Sequence, residues 1–448
     1  MQTNPVIFKA YDIRGVFPQD FNEESAYLIG RAFVDFLKKN NPKIVVGKDN
    51  RSSSPRIFKS LVKGIVEGGG TVFDVEMVTT PLFYFSVVSL KADGGINITA
   101  SHNPPQYNGF KITREKAIPV SEDTGLQEIK KIALSGEFKK KGKGKIVKKN
   151  TIEAYVKFNC KPFKLKKQKS LKIIIDTANA VSGILIPRFF EKTKHKITHL
   201  YAKLDGSFPN HNPDPLIKEN LKMIRRKVKE KKANLGIAFD GDGDRMFFID
   251  EKGEVVSGDL ITALMTDLIL KKNPGQKVIY DIRSSNVIKE IAKENKGKAL
   301  GGRIGHSLIK ESMRKNNVIF AGELSGHYYF KDHYFCEAPF AVLFNVLDEL
   351  SKRNIALSEL IKPYKRYYHS GEINFEVKNK KRVLKALEEK FKNKGKILKI
   401  DGLRMDFNDW WFLVRPSNTE PVIRLVLEAK NKKTLDQKTH LLSNILHG

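Results

Sequence analysis

Cysteine is almost missing from this chain: two residues, Cys160 and Cys336, among 448. They lie far apart and share no metal-ligand spacing, so neither a disulfide framework nor a thiolate metal site is expected, and a reducing cytoplasm is. No apolar run reaches the roughly 18 residues that a membrane helix needs, so no membrane partner is expected. The first residues, MQTNPVIFKAYDIRG, show no basic start, apolar core or cleavage site, and no signal peptide is expected. Acidic residues are also scarce: 50 against 81 Lys and Arg, a net charge of +31. Such an excess invites a nucleic-acid reading. The lysines are spread, however, densest in 137–150, 161–172 and 222–232, and no basic run is interleaved with aromatics. No nucleic-acid partner is expected; a basic protein equally attracts small anionic substrates.

What is present is globular: 40% hydrophobic and 29% charged residues, enough chain for roughly three domains. A helical apolar pattern over 24–40 leads into Ile44-Val45-Val46. A strand at 71–75 and a helix at 83–90 follow. Residues 137–150 and 161–172 read as linkers. A second unit has strands at 171–176 and 235–239 with a helix over 216–232 between them. A third alternates helix 260–271, strand 277–281, helix 307–315 and strand 318–321. This alternation predicts mixed sheets flanked by helices. The end differs: strands near 372–376, 397–400, 405–407, 411–414 and 422–428 between helices 381–393 and 435–446, a small α+β unit.

Three times an apolar strand ends in a polar turn. In TASHNPPQYNGFK, Ser101 lies just past a strand end, where α/β sheets place their chemistry, and Pro104-Pro105 stiffen the exit. A G-x-S-x-G elbow is absent, which argues against a hydrolase nucleophile. In GIAFDGDGDRMFFID, Asp240, Asp242 and Asp244 would repel strongly unless a cation neutralised them; an all-oxygen donor set implies Mg²⁺ or Ca²⁺. An EF-hand is the rival, because Glu251 falls at the twelfth loop position, but Arg245 replaces the turn glycine and the flanks read as strands. In AGELSGHYYF, Glu323, Ser325 and His327 alternate, so an extended backbone would point all three one way, a set suited to sugar hydroxyls. In WFLVRPSNTEPVIRL, Arg415, Ser417, Asn418 and Thr419 have a phosphate-binding composition, and Arg424 offers a second fork.

Taken in order, TASHNPPQYNGFK, DGDGDR, GELSGH and RPSNTEP resemble the α-D-phosphohexomutase superfamily, with AYDIRG and GHSLIK extending the likeness over most of the chain. GELSGH is most similar to the phosphomannomutase/phosphoglucomutase branch; phosphoglucosamine mutases usually have glutamine where Leu324 stands. The resemblance implies three similar α/β domains with mixed sheets and a small C-terminal α+β domain around a central cleft. The units are then 1–148, 149–252, 253–366 and 367–448. It implies interconversion of hexose 6-phosphate and hexose 1-phosphate through a phosphoserine and a hexose 1,6-bisphosphate, which also serves as activator. Ser101 resembles the phosphoryl carrier. Asp240, Asp242 and Asp244, with an oxygen of the Ser101 phosphate, resemble the Mg²⁺ ligands, and Arg245 follows them into the site. Glu323 and Ser325 resemble the readers of the sugar O3 and O4 hydroxyls, with His327 beside them. Arg415, Ser417, Asn418 and Thr419 resemble the clamp on the idle phosphate. Tyr11, Arg14, Lys111, Arg283 and His306 fall at polar cleft positions; Arg283 stands where lysine is common. Lys111, Arg14 and His327 are the candidates for proton handling. Partners would be small sugar phosphates, with the protein a monomer or small homo-oligomer. A phosphoglucosamine mutase and a non-catalytic sugar-phosphate binder are the alternatives.

Overall fold

The computed structural model describes residues 3–139, 142–377, 379–416 and 422–447. Three of its four sheets share one plan. In the first, the parallel strands Thr71–Met77, Lys43–Lys48 and Gly94–Ile98 lie side by side, and Tyr107–Arg114 returns antiparallel to the last. The second repeats this order with Lys196–Leu200, Lys172–Asp176, Leu235–Phe239 and the antiparallel Met246–Ile249. The third does so with Lys298–Gly302, Lys277–Asp281, Phe320–Gly322 and the antiparallel Tyr328–Phe330. In every case the third parallel strand folds back on itself, and the turn is one of the polar motifs: 99–106, 240–245 or 323–327. The fourth sheet is wholly antiparallel, Tyr368–Glu376, Val422–Ala429, Trp410–Pro416, Leu403–Asp406 and Lys396–Leu398, covered by helices Lys380–Phe391 and Lys432–His447.

The local causes are ordinary. Strands Gly94–Ile98 and Leu235–Phe239 are buried at every position, as strands covered on both faces must be. Helix Glu23–Leu37 starts where Asn22 accepts the Ser25 N–H at 2.9 Å, has Glu23 and Glu24 in its first turn, and ends on Lys38 in the left-handed region. Helix Thr80–Ser89 is capped by Thr79 and carries Pro81 in its first turn; it is apolar all round because other helices and sheets surround it.

Two lysine-rich stretches are corrected. Residues 137–150 are not a free linker. Ile146–Lys148 is an edge strand of the first sheet, parallel to Thr71–Met77, and the N–H groups of Gly142 and Gly144 bond the carbonyls of Glu67 and Val66. Residues 161–172 hold a short 3₁₀ turn, Leu165–Lys167, with Leu165 and Gln168 buried inside the second unit. The helix expected over 216–232 is a 3₁₀ turn, Lys218–Leu221, continued by helix Lys222–Glu230.

One apolar cluster runs through the first three units; Phe85 meets Tyr155 edge-on, and Phe189 stacks on Phe340 at 3.8 Å between ring centroids. The fourth unit has its own core, and meets the third through a patch of Ile282, Trp411, Leu413 and Val426. At about 1.5–3 kcal/mol per buried large side chain, the first three units are bound together far more strongly than the fourth is to them. Among the described residues no helix is long and apolar enough to cross a membrane.

Candidate active site

Ser101 sits beyond strand Gly94–Ile98 in the left-handed region, φ +52°, and is buried. That backbone costs on the order of 1–3 kcal/mol for a residue with a Cβ. It is held by Arg51, which donates to the carbonyls of Ser101 (2.8 Å), Asn103 (2.7 Å), Pro104 (2.6 Å) and Tyr107 (3.2 Å) and, through Nε, to Asp49 (3.1 Å). Charge-assisted bonds contribute about 1.5–3 kcal/mol each, so the guanidinium outweighs the strain. The prolines stiffen the turn, whose Tyr107 N–H returns to the Pro104 carbonyl, but Arg51 shapes it. Arg14 donates to Asn103 of the same loop at 2.6 Å. The Ser101 hydroxyl donates to Asp240 Oδ2 at 3.2 Å, across from one unit to the next.

The loop 240–245 gathers Asp240, Asp242 and Asp244, all 0% exposed, with carboxylate oxygens within 4.8 Å of one another. Gly243, φ +68°, allows the tight turn, and Asp240 Oδ1 accepts the Arg245 N–H at 3.1 Å. Lys111 reaches in from strand Tyr107–Arg114 to Asp242 (2.7 Å) and Asp244; Thr80, itself held by Asn97 at 3.0 Å, donates to Asp242. Burial, then the charges of Asp244 and Asp242, push the Asp240 carboxyl well above the usual carboxylate range. Burial alone would raise Asp244 too, but Lys111 and His327 hold it well below that range. The set fits a hard divalent cation: the donors are all oxygen, one carboxyl resists ionising without a positive partner, and Asp242 Oδ1 is buried with no hydrogen-bond partner among the described residues. An EF-hand is excluded. The loop joins two strands, and Glu251 faces away to accept the Ser358 N–H (3.2 Å) and hydroxyl.

The sugar-type motif is corrected in form. Residues 323–327 are a tight turn, Gly326 N–H to Glu323 carbonyl at 3.1 Å, rather than an extended run. The turn still brings the three side chains together: His327 Nδ1 lies 3.1 Å from Ser325 Oγ and 3.3 Å from Glu323. His327 Nε2 lies 3.2 Å from Asp244, and Arg245 Nε lies 3.2 Å from the same nitrogen. Backbone joins these two turns as well, the Met246 N–H bonding the Gly326 carbonyl at 3.0 Å. Burial would lower His327, but Asp244 and Glu323 raise it to about 9. Burial would raise Glu323, but His327 and the Tyr329 hydroxyl bring it to about 2.

The other cleft residues surround these turns. Tyr11 donates to the Ile304 carbonyl at 3.4 Å and packs edge-on to His306. His306 opens helix His306–Asn316; burial, then Lys310 and Lys111, keep its imidazole well below the usual histidine pKa, and it faces Glu337 at 4.0 Å. Glu337 forms a fully buried ion pair with Lys310 at 2.7 Å. Arg283 forks onto Asp281 (2.8 and 3.2 Å) and lies 3.7 Å from Glu372. Arg415 and Arg424 are direct cross-strand neighbours, a like-charge pairing that an anion would relieve. Arg415 Nη1 is buried without a hydrogen-bond partner among the described residues, 3.8 Å from Asp401. Ser417, Asn418 and Thr419 lie outside the described residues. The sequence reading passes over Arg51, Thr80, Asn97, Asp281, Lys310 and Glu337; of these Arg51, just past strand Lys43–Lys48, and Asp281, closing strand Lys277–Asp281, carried the signal of polar residues at a parallel strand's C-terminal end.

Four profiles of one family match in succession: phosphoglucomutase/phosphomannomutase alpha/beta/alpha domains I, II and III over residues 5–140, 151–253 and 257–367, and its C-terminal domain over 372–440. The chain belongs to the phosphoglucomutase/phosphomannomutase family. By that membership it is an isomerase, a phosphotransferase mutase. It is 39% identical over 445 residues to a phosphomannomutase of Methanocaldococcus jannaschii, covering 98% of this chain and 97% of that one. It is 36% identical over 438 residues to a phosphomannomutase/phosphoglucomutase of Pseudomonas syringae, covering 96% and 93%. A crystal structure of a phosphoglucomutase/phosphomannomutase family protein from Burkholderia thailandensis superposes with a TM-score of 0.91 at 33% identity, over 100% of this chain and 98% of that one.

Proposed function

We propose that this mutase interconverts hexose 6-phosphate and hexose 1-phosphate, with mannose and glucose phosphates as substrates, as the names of its relatives suggest. The observation that carries the reading is the interlock of three equivalent turns: the Ser101 hydroxyl on Asp240, and Asp244 on His327. Ser101 stores the phosphoryl group as an ester. A sugar hydroxyl attacks the phosphorus, its new P–O bond forms as the Ser101 ester bond breaks, and a hexose 1,6-bisphosphate results. After the bisphosphate turns end for end, the other phosphoryl group returns to Ser101. Such transfer needs positioning and charge neutralisation. Asp240, Asp242, Asp244 and a phosphate oxygen on Ser101 would hold Mg²⁺, which when bound neutralises charge on the phosphoryl oxygens. The proton of the attacking hydroxyl ends on Ser101 Oγ as the ester bond breaks, and Lys111, Arg14 and His327, in contact with the Ser101 and aspartate loops, are assigned to its relay, with Arg245 beside His327. Glu323 and Ser325 read the sugar hydroxyls. Arg415, Arg424 and Arg283 grip the idle phosphate with Ser417, Asn418 and Thr419, while Tyr11 and His306 line the wall. Hexose 1,6-bisphosphate activates by phosphorylating Ser101. The four units are divided at 148/149, 252/253 and 366/367. Cys160 and Cys336 are both free thiols, in keeping with a cytoplasmic enzyme.

The test is phosphorus NMR of the purified protein with Mg²⁺, mannose 1-phosphate and a trace of glucose 1,6-bisphosphate. Mannose 6-phosphate should appear, and Ser101→Ala should slow it by on the order of 10³-fold or more. Conversion of glucosamine phosphate alone would move the substrate to the amino sugar, and no conversion of any of the three would overturn the reading.

A further inference from the structure

Residues 281–286 connect strand Lys277–Asp281 to helix Val287–Glu294 and are gripped from two sides. On one side Asp281, 0% exposed, accepts the Leu324 N–H at 2.8 Å, in the middle of Glu323-Leu324-Ser325. The same carboxylate accepts the backbone N–H and the guanidinium of Arg283. On the other side the fourth unit closes on the segment. Arg404 donates to the Ile282 carbonyl at 2.6 Å and to the Asn286 side chain at 2.8 Å. Glu428 accepts the Asn286 N–H at 2.9 Å and the Trp411 indole N–H at 2.7 Å. His369 Nε2 lies 2.9 Å from the Arg283 carbonyl oxygen. The Arg404 guanidinium also stacks 3.7 Å above the Trp411 ring and bonds Asp406 at 2.7 Å.

Arg404, Trp411 and Glu428 are all buried and are not part of the cleft described above. Burying an arginine and a glutamate is costly, and an apolar joint of the same size would hold as firmly. What a joint made of several directed hydrogen bonds adds is a single registry. Here the registry fixes Arg415, on the strand of Trp411, and Arg424, on the strand of Glu428, relative to the turn of Glu323 and Ser325.

We propose that Arg404, Trp411 and Glu428 are positioning residues. Through 281–286 they couple the unit that grips phosphate to the turn that reads sugar hydroxyls, so that the hexose bisphosphate stays bound while it reorients. This rests on the mutase reading above. If grip and reading act as one event, the intermediate must break both sets of interactions to escape. If they act separately, either end can let go first.

The experiment uses the full-length enzyme with Mg²⁺, its Ser101 carrying a ³²P-phosphoryl group, mixed with unlabelled hexose 1-phosphate. Free labelled bisphosphate per turnover is measured by chromatography beside kcat, KM and melting temperature. Arg404→Met and Glu428→Ala should release at least tenfold more bisphosphate per turnover and should need added bisphosphate to sustain activity. Glu428→Gln, which still offers an amide oxygen to both N–H groups, should behave like the parent. Label transfer from saturating bisphosphate to Ser101 should stay unchanged in all three. If Arg404→Met does not fold, the Ala and Gln variants at 428 decide between the outcomes. Release at the parent level in folded Glu428→Ala, or equal leakage from the Gln and Ala variants, would overturn the coupling. A parent enzyme that never labels Ser101 would overturn the mutase reading instead.

Discussion

A guanidinium can act on a reaction without touching a reactant. Arg51 directs its donors at the backbone around Ser101 and at Asp49, and so sets the angle at which the hydroxyl meets Asp240. Arg51→Met should lower kcat by about 10²-fold, since misplacement by about 1 Å costs that much. It should also reduce unfolding stability by about 3–5 kcal/mol, because Asp49 is left buried and unpaired. Steady-state kinetics and urea unfolding would show both. Arg51→Lys should not rescue activity, as one ammonium cannot reach four carbonyls in a planar fork. The placement of Ser101 and the three aspartates was legible in the sequence because their chemistry is local: carboxylates crowded by glycines, a serine at a strand end. Arg51 was not legible, because its partners are carbonyls, which every residue has. Glu337 and Lys310 were hidden for a related reason, being twenty-seven residues apart and meeting only in the fold.

At the level of elements, the alternation of strands and helices was readable, and so was the change to clustered strands between two helices after about residue 370. The failures have physical causes. Helix Ser54–Glu67 escaped notice because Gly64 looks like a breaker; in the fold a Cβ there would lie 2.2 Å from the Tyr27 carbonyl oxygen, so glycine is what lets helices Glu23–Leu37 and Ser54–Glu67 cross closely. The turn at 323–327 was misread as extended because side-chain alternation says nothing about which backbone brings the groups together. A turn prediction can be tested at Gly243, φ +68°, where an added Cβ would lie 2.3 Å from the Ser182 hydroxyl. Gly243→Ala should weaken Mg²⁺ binding at least about tenfold by titration calorimetry, since a displaced loop no longer presents three ligands to one ion. The rest of the fold should persist, with far-ultraviolet circular dichroism unchanged.

For the whole molecule, acid is the revealing stress. Burial lowers His195 and His333 to about 4, and both are held neutral inside the structure, His195 between the Leu171 N–H and Gln168 and His333 against Asn159. Once unfolded they titrate near about 6.5. Below that pH the unfolded chain takes up protons that the folded one refuses. Their contribution is therefore complete above pH 6.5 and declines as the pH falls toward about 4. Calorimetry should show the transition of the first three units moving steadily to lower temperature across that window, and a flat profile would mean the two rings are hydrated in the native state. Both histidines lie in the first three units, which one apolar cluster joins, whereas the core of the fourth is separate from it. Such a molecule has a trunk and a limb. The two histidines act on the trunk and not on the limb, so one melting temperature describes no single event. With an interior of its own, the limb can unfold as a separate step while the trunk stands.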